Sequence, residues 1–200
     1  MLLQRACNVA KTMGLHRRSD CLADMACADI DERQHLFWLL YTVDKDFSMV
    51  VGNAPYLQLY DCDCNMPPPN RTHYDQMQRV TSGRIKEKVY QLLYSASAEK
   101  GIQREAAIGE LEAEVEQFSL QQDEADSEDD NSGWRGKPFL RVEMKFIYYH
   151  MRVMILRCSV DGTRRSKCQE AARQSIKLMA KIRIAKTTVG GFMVLRRYGT

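Results

Sequence analysis

Residues 138–160 read PFLRVEMKFIYYHMRVMILRCSV and carry the clearest helical pattern in the sequence. Their apolar residues recur every three or four positions, which is the spacing that lines up side chains along one side of an α-helix. The members of this series are Phe139, Val142, Phe146, Tyr149, Val153, Leu156 and Val160. Gly162 then supplies a residue that tolerates the left-handed backbone at a helix end. The stretch therefore predicts a long helix that begins at Pro138.

The same spacing predicts helices along most of the chain. A first helix ends at Gly14, and a second runs from Asp29 or Asp31 to Gly52. The second helix is marked by apolar residues at steps of four and three, namely Leu36, Leu40, Val43, Phe47 and Val50. Further helices are predicted over residues 81–97, 103–120 and 166–186. The fold class is predicted to be all-α, an irregular helical domain of about six helices.

Three stretches interrupt the helical pattern. Pro55 and the prolines at 67–69 exclude helix and favour an extended surface loop after the second helix. Residues 121–137 are predicted to form an acidic, flexible loop, because six of the eight residues from 123 to 130 are acidic and few are apolar. Residues 189–200 have no clear period. We expect one domain over residues 1–188, interrupted by the acidic loop, and an unassigned tail at 189–200.

Composition narrows the class of protein. A chain of 200 residues with 44% apolar and 28% charged residues is long enough for a full core and excludes a wholly disordered or fibrous protein. Charged residues cut every long apolar stretch, so no membrane span is predicted, and Arg5 and Lys11 exclude a signal peptide.

Charge is distributed unevenly along the chain. Residues 1–130 carry a net charge of −10 and residues 131–200 a net charge of +13, which together give the overall +3. A strongly basic segment could attract nucleic acid. We favour the alternative that the two oppositely charged halves belong to one domain, face each other and partly neutralise.

Motifs for catalysis or metal binding were sought and not found. The seven cysteines, Cys7, Cys21, Cys27, Cys62, Cys64, Cys158 and Cys168, form no CxxC pair and are interpreted as free thiols. The four histidines, His16, His35, His73 and His150, are scattered, and no phosphate-binding glycine loop, GxSxG or HExxH motif is present. The sequence therefore predicts no enzyme, and it assigns no catalytic, cofactor-binding or metal-binding residue.

An ordered series of motifs resembles a known family. The run ACNVAKTMGLHRRSD contains Gly14-Leu15-His16, and DERQHLFWLLYTVDKDFSMVVGNAPYL contains the Leu36-Phe37-Trp38 element. Asp44, Gly52, Pro55, Asp61, Asp63 and Pro67 continue the pattern into DCDCNMPPP. Together with YYHMRVMILR and CQEAARQSIKLM downstream, the chain resembles the middle regulatory region of fungal-specific transcription factors of the zinc binuclear-cluster type, over residues 6–184. Lys45 stands where that family usually has Arg.

The resemblance implies a function. It implies a nuclear transcription regulator whose helical middle region senses an effector or inhibits, with the transcription machinery or co-regulators as partners. In the family, DNA is bound through an N-terminal cluster of two zinc ions held by six cysteines, and no such cluster can form here because no CxxC pair is present. No cofactor is therefore expected in this chain, which we interpret as an incomplete copy of the family domain.

Two matters stay open from the sequence. The resemblance leaves room for a small-molecule effector and for a homodimer, and it implies no membrane partner. The alternative interpretation is a free-standing helical protein that binds other proteins or small molecules without binding DNA. If the copy is incomplete, the first, second and fifth helices are expected to expose part of their apolar faces.

Overall fold

The computed structural model of the chain describes residues 2–18, 27–67, 74–98, 100–127 and 138–188. Within these residues it contains six α-helices and no β-strand. The helices are α1 (Leu2–Thr12), α2 (Cys27–Val51), α3 (Tyr74–Val89), α4 (Gly101–Ser127), α5 (Pro138–Leu156) and α6 (Gly162–Thr188). The prediction of an all-α fold with about six helices is confirmed.

The chain divides into two compact units. Unit 1 comprises Met1–Ala107 and unit 2 comprises Ile108–Thr200. Unit 1 contains α1, α2 and α3, and unit 2 contains most of α4 with α5 and α6. The extent of the family domain, residues 1–188, stays a prediction.

Glycines end the first two helices as the sequence predicts. Gly14 has a φ of 65°, the Leu15 N–H donates to the Ala10 carbonyl at 2.9 Å, and the Gly14 N–H donates to the Lys11 carbonyl at 3.0 Å. This pair of bonds is the Schellman arrangement, which a left-handed residue makes accessible. Gly52 has a φ of 78° and donates its N–H to the Ser48 carbonyl at 2.8 Å.

The core of unit 1 forms around the aromatic side chains of α2. Phe37, Trp38 and Tyr41 are almost completely buried, and their rings contact one another edge to face or at a tilt. They pack with residues from α1, α3 and the loop after α2, namely Cys7, Ala10, Leu15, Leu57 and Val80. Phe37 and Trp38 of the family motif are thus core residues. In the predicted apolar series of α2, Leu40 packs against this core, whereas Leu36, Val43, Phe47 and Val50 are exposed.

Several helix boundaries differ from the sequence prediction. α3 begins at Tyr74 rather than near residue 81, and it ends in a π-helical turn, Tyr90–Tyr94. α4 continues to Ser127, so the first seven residues of the predicted acidic loop at 121–137 are helical instead. Good helix formers such as glutamine and glutamate occupy that stretch, and their propensity prolongs the helix beyond its apolar face. The rest of that loop and the tail at 189–200 lie outside the described residues.

Unit 2 is built on the pairing of α5 with α6. The buried residues of α5 are Met144, Ile147, Tyr148, Met151, Met154, Ile155 and Leu156. The core face thus lies nearly opposite the predicted series: Val142, Phe146, Tyr149 and Val153 are only partly buried, and Val160 is 83% exposed, although Leu156 is buried. Met144, Met151 and Met154 belong to the buried face of α5. The sequence pattern did not separate this face from the Val and Phe series, because both sets of residues recur at helical spacing. Among the described residues, no helix has both the length and the apolar character that crossing a membrane requires.

Candidate functional site

The site with the densest set of specific contacts lies in unit 1, where the loop after α2 returns to the helices. Asp44 of α2 is fully buried and accepts two backbone hydrogen bonds from this loop. Its Oδ1 accepts from the Tyr56 N–H at 3.0 Å, and its Oδ2 accepts from the Leu57 N–H at 3.0 Å. A buried carboxylate stabilises two donors that would otherwise be unpaired. Asp44 therefore fixes the path of the chain just after Pro55.

Lys45 adds a buried positive charge beside this carboxylate. Its Nζ lies 3.3 Å from Asp44 Oδ2 and 3.3 Å from Glu87 Oε2, and it donates to the Leu57 carbonyl. It also lies 4.3 Å from the centroid of the Tyr41 ring. A buried ammonium is tolerated only with such partners, because the loss of its hydration is otherwise uncompensated.

Glu87 carries the network from α2 and the loop into α3. Its Oε2 accepts from the Tyr41 hydroxyl at 2.8 Å, and its Oε1 accepts from the Leu59 N–H at 2.9 Å. Burial, and then the negative charge of Glu87, raise the pKa of the Tyr41 hydroxyl far above its ordinary value. Tyr41 thus remains a neutral hydrogen-bond donor. We call Tyr41, Asp44, Lys45 and Glu87 the buried charge network.

A glycine in α3 lets this helix approach the network closely. A Cβ atom on Gly83 would lie 3.0 Å from Cε1 of Tyr41 and 3.6 Å from Cγ of Lys45. The first distance is shorter than ordinary van der Waals contact, and the Tyr41 ring is fully buried. Gly83 therefore gives up helix propensity to allow close packing of α3 on α2.

The end of α1 is joined to the same loop and to α2. The His16 carbonyl accepts from the backbone N–H groups of Asp63 and Cys64 at 3.1 and 3.2 Å. Arg33 of α2 donates from its guanidinium to the Met13 carbonyl at 2.8 Å, which satisfies a carbonyl just after the end of α1.

Trp38 anchors the far end of the loop. Its indole Nε1 donates to the Asn65 carbonyl at 2.7 Å, while the ring stays 1% exposed. Asp61, in the middle of the loop, lies 3.5 Å from both Lys11 and Arg17. The loop from Pro55 to Asn65 is consequently held at both ends and at its centre.

The three cysteines of unit 1 whose side chains the structure describes are poor nucleophiles. Burial raises the pKa of the Cys7, Cys62 and Cys64 thiols to about 11 in each case. Thiolates are the reactive and metal-binding form of cysteine, so these three are chemically quiet near neutral pH. Five described cysteines, the three above with Cys158 and Cys168, are free. Cys21 and the side chain of Cys27 lie outside the described part of the chain.

The residues do not fit the zinc cluster that the resemblance attaches to the family. Such a cluster needs six thiolates in groups that contain CxxC, and the sequence has no CxxC pair. In the described ranges, no group of three or more His, Cys, Asp or Glu side chains is placed to hold a metal ion. No step through zinc is therefore derived for this chain.

Unit 2 contains a second charged cluster. The Glu112 carboxylate lies 2.8 Å from Lys167, 3.4 Å from Arg164 and 4.0 Å from Arg152. Burial alone would raise the pKa of Glu112, but these cations outweigh it and hold that pKa below its usual value. Arg152 also lies 2.7 Å from Glu116. The acidic α4 thus forms ion pairs with the basic α5 and α6 within unit 2, while the facing of the two charged halves of the chain stays a prediction.

The motif residues that were far apart in the sequence meet in one place. The Gly14-Leu15-His16 turn, the Phe37-Trp38 pair, Asp44 and the 55–65 loop all belong to the hydrogen-bonded core of unit 1. Sequence reasoning missed Glu87 and Gly83. Nothing local distinguishes Glu87, which is buried, from the neighbouring Lys88, which is exposed.

These motifs define the class of protein. A family profile described as the fungal specific transcription factor domain matches residues 1–138, which is more than half of the chain. The chain therefore belongs to the fungal-specific transcription factor family.

Individual relatives support the same class. Transcription factor oryO of Aspergillus oryzae is 24% identical over 188 residues, which are 90% of this chain and 23% of that protein. The ABC-transporter-regulating transcription factors of Aspergillus oryzae and Aspergillus fumigatus are 29% and 30% identical over 135 residues, which are 58% of this chain and 15% of each relative. The chain thus spans less than a quarter of the length of these relatives. No solved structure matches it.

Proposed function

We propose that the chain is the effector-sensing or inhibitory middle region of a fungal zinc-cluster transcription factor. In this role it acts in the nucleus and regulates DNA-templated transcription without catalysing a reaction. The proposed region covers residues 1–188. DNA is reached through a zinc cluster that the cysteines of this chain do not form. Its partners are the transcription machinery or co-regulators, a small-molecule effector and a second copy of the chain.

The observation that carries the proposal is the use of the family motifs in unit 1. Asp44, Trp38 and the turn at Gly14 each hold a loop or a helix end in place, and none presents a reactive group to solvent. Many regulatory transitions move packed elements as rigid bodies, so each moving body needs a frame that holds its elements together. The buried charge network provides that frame by tying α2, α3 and the 55–65 loop together.

The experiment is a three-part fusion in a fungal host. Residues 1–200 are placed between a heterologous DNA-binding domain and a strong activation segment, and reporter transcription is compared with a fusion that carries a flexible linker of equal length. We expect the chain to change transcription several-fold, and to do so differently among growth media if it senses an effector. A reporter level that equals the linker fusion in every medium argues against a regulatory role.

Two matched variants separate a regulatory effect from the effect of inserting any protein of this size. The same fusion with Lys45→Met removes the shared cation of the buried charge network and is expected to lose the effect. The fusion with Ile102→Glu changes a side chain that is 89% exposed and should keep it. Both fusions must accumulate to the same protein level for the comparison to hold.

The second candidate is a free-standing helical protein that binds proteins or small molecules without DNA. The observation in its favour is that unit 1 is compact and has its own aromatic core. Gel retardation with a CGG-containing duplex at physiological salt tests the shared expectation that residues 1–200 alone do not bind a DNA sequence tightly. Thermal-shift screening, combined with the reporter assay above, distinguishes the two candidates further. The second candidate predicts that a ligand raises the melting temperature of the chain while reporter transcription does not change.

A further inference from the structure

The side of α6 that faces solvent is strongly basic. The helix has eight basic residues and one acidic residue among its 27 positions. With 3.6 residues per turn, three of the cations fall on the side of the helix opposite the buried Ala171, and all three are exposed. We call this side the α6 outer face; its members are Arg165, Glu170, Arg173, Ile176 and Lys177.

The cations of α6 belong to two sets. Arg164 and Lys167 reach α4, where they lie 3.4 and 2.8 Å from the Glu112 carboxylate. On the outer face, Arg173 lies 3.5 Å from Glu170 of the same helix, and both side chains are more than half exposed. Such a pair stays hydrated and contributes little to stability, so its charges remain available to a partner. Three cations and one carboxylate leave the outer face with a net charge of +2.

The outer face also presents apolar side chains. Ile176 is 67% exposed, and Met179, at the edge of the face, is 57% exposed. Ile176 follows Arg173 by three positions and directly precedes Lys177, so it stands among the cations. Covering these side chains is favourable, and a partner that supplies charge alone would leave them in water. The face therefore matches a partner that offers both carboxylates and apolar side chains.

Two other anionic partners match this face less well. A nucleic acid backbone offers phosphates for the cations, but it has no apolar side chain for Ile176, and its phosphates are repelled by Glu170. The acidic stretch of this chain, residues 123–130, contains six acidic residues, with Ala125 as its one apolar residue. A segment of that composition pairs with the cations and leaves Ile176 uncovered.

We propose that the α6 outer face is a docking surface for an acidic peptide segment of another protein, one that carries large apolar side chains between its carboxylates. The carboxylates pair with Arg165 and Lys177, and the apolar side chains cover Ile176. Arginine suits this role because its guanidinium binds a carboxylate through two parallel hydrogen bonds. The proposal rests on the charge and exposure of α6 alone and does not depend on a role in transcription.

Fluorescence anisotropy of labelled peptides mixed with the 200-residue chain tests the proposal. The first probe is a peptide of glutamate and leucine with the leucines at helical spacing. The second probe copies residues 121–132 and carries six acidic residues, and the first is made with the same number. We expect the glutamate–leucine peptide to bind about fivefold more tightly, because it alone covers Ile176. Raising the salt from about 0.05 to about 0.3 M should weaken this binding severalfold.

The other partners are outcomes of the same measurement. A copy of residues 121–132 that binds as tightly as the glutamate–leucine peptide assigns the face to charge alone and overturns the proposal. A mixed-sequence DNA duplex, or a vesicle that contains phosphatidylserine, overturns it if either binds more tightly than that peptide at the same salt. Binding of the glutamate–leucine peptide that is absent at every salt concentration also overturns it.

Variants locate the binding on α6. Arg165→Glu and Lys177→Glu are each expected to weaken binding of the glutamate–leucine peptide about fivefold, and Ile176→Ser should remove its advantage over the copy of residues 121–132. The matched control is Arg5→Glu, which makes the same change of charge at an exposed position of α1 and should leave binding unchanged. An equal loss in Arg5→Glu would show that binding follows the overall charge of the chain, which contradicts the proposal.

Reversal of the charges distinguishes a lost contact from a damaged fold. The double variant Arg165→Glu with Lys177→Glu is expected to lose the glutamate–leucine peptide and to bind a lysine–leucine peptide that the wild type does not bind. Both positions are exposed, so the circular dichroism of the double variant should equal that of the wild type. A double variant that keeps the wild-type spectrum and still binds the glutamate–leucine peptide as tightly as the wild type overturns the proposal.

Discussion

The ammonium group of Lys45 lies 3.3 Å from the Glu87 carboxylate, and both side chains are buried. The contact joins α2 to α3 at the point where Asp44 captures the backbone of the returning loop. Lys45 thus supplies the single cation that the buried Asp44 and Glu87 carboxylates share.

Lys45→Met is expected to destabilise unit 1 by about 3 to 5 kcal/mol, because it leaves Asp44 and Glu87 buried without the cation that they share. Lys45→Arg keeps the charge and should cost less. Urea unfolding in a Trp134→Phe background measures the change, since Trp38 is then the sole tryptophan and reports on unit 1. Equal stability of the Met and Arg variants would show that the cation contributes little.

Gly83→Ala is expected to lower the stability of unit 1, although alanine favours a helix by about 1 kcal/mol over glycine. The new methyl group would stand 3.0 Å from the buried Tyr41 ring, whose hydroxyl is held by Glu87. The matched control is Gly162→Ala in α6, where a Cβ meets nothing within 4 Å. Urea unfolding should show a loss for the first variant and no loss for the second; a gain at Gly83 would mean that the ring moves aside freely.

The fold could be predicted from the sequence to a large extent, and the site only in outline. Helical periodicity and the glycines at 14 and 52 mark where α1 and α2 end, because both signals are local. The core-facing side of α2 was not predictable in the same way, since apolar residues cover two faces and only tertiary contacts decide between Trp38 and Val43. Glu87 joins the site through a contact with a residue 42 positions earlier, for which the sequence gives no local signal.

The thiols of Cys7, Cys62 and Cys64 are expected to resist alkylation in the native chain. Burial raises the pKa of Cys62 to about 11, so very little thiolate exists at pH 7.5. Iodoacetamide labelling followed by peptide mass spectrometry should modify Cys7, Cys62 and Cys64 slowly in the native chain and rapidly in urea. Because only the unfolded thiols ionise near their ordinary pKa of about 8.5, stability should also fall as the pH rises above that value. Native labelling as fast as in urea would contradict the burial of these groups.

The stability of unit 2 should vary with pH because of Glu112, whose carboxylate is held ionised by Lys167, Arg164 and Arg152. The pKa of Glu112 is lower in the folded state than in the unfolded state. Its contribution to the free energy of unfolding is therefore fully present above the unfolded pKa of about 4.3, and it is lost as the pH falls through the lower folded pKa. Glu112→Gln should therefore cost about 1 to 2 kcal/mol at pH 7. At pH 3 most of this difference between the wild type and the variant should disappear.

Thermal and urea unfolding followed by circular dichroism at both pH values measure this difference. Glu110→Gln is the matched control, because Glu110 lies exposed on the same helix, two residues away. The control should lose little stability at either pH, since an exposed glutamate gains little from folding. The loss of stability in Glu112→Gln could instead be as large at pH 3 as at pH 7. It would then arise from the shape and hydrogen bonding of the side chain rather than from its charge. In that case the cations of α5 and α6 would not stabilise unit 2 through Glu112.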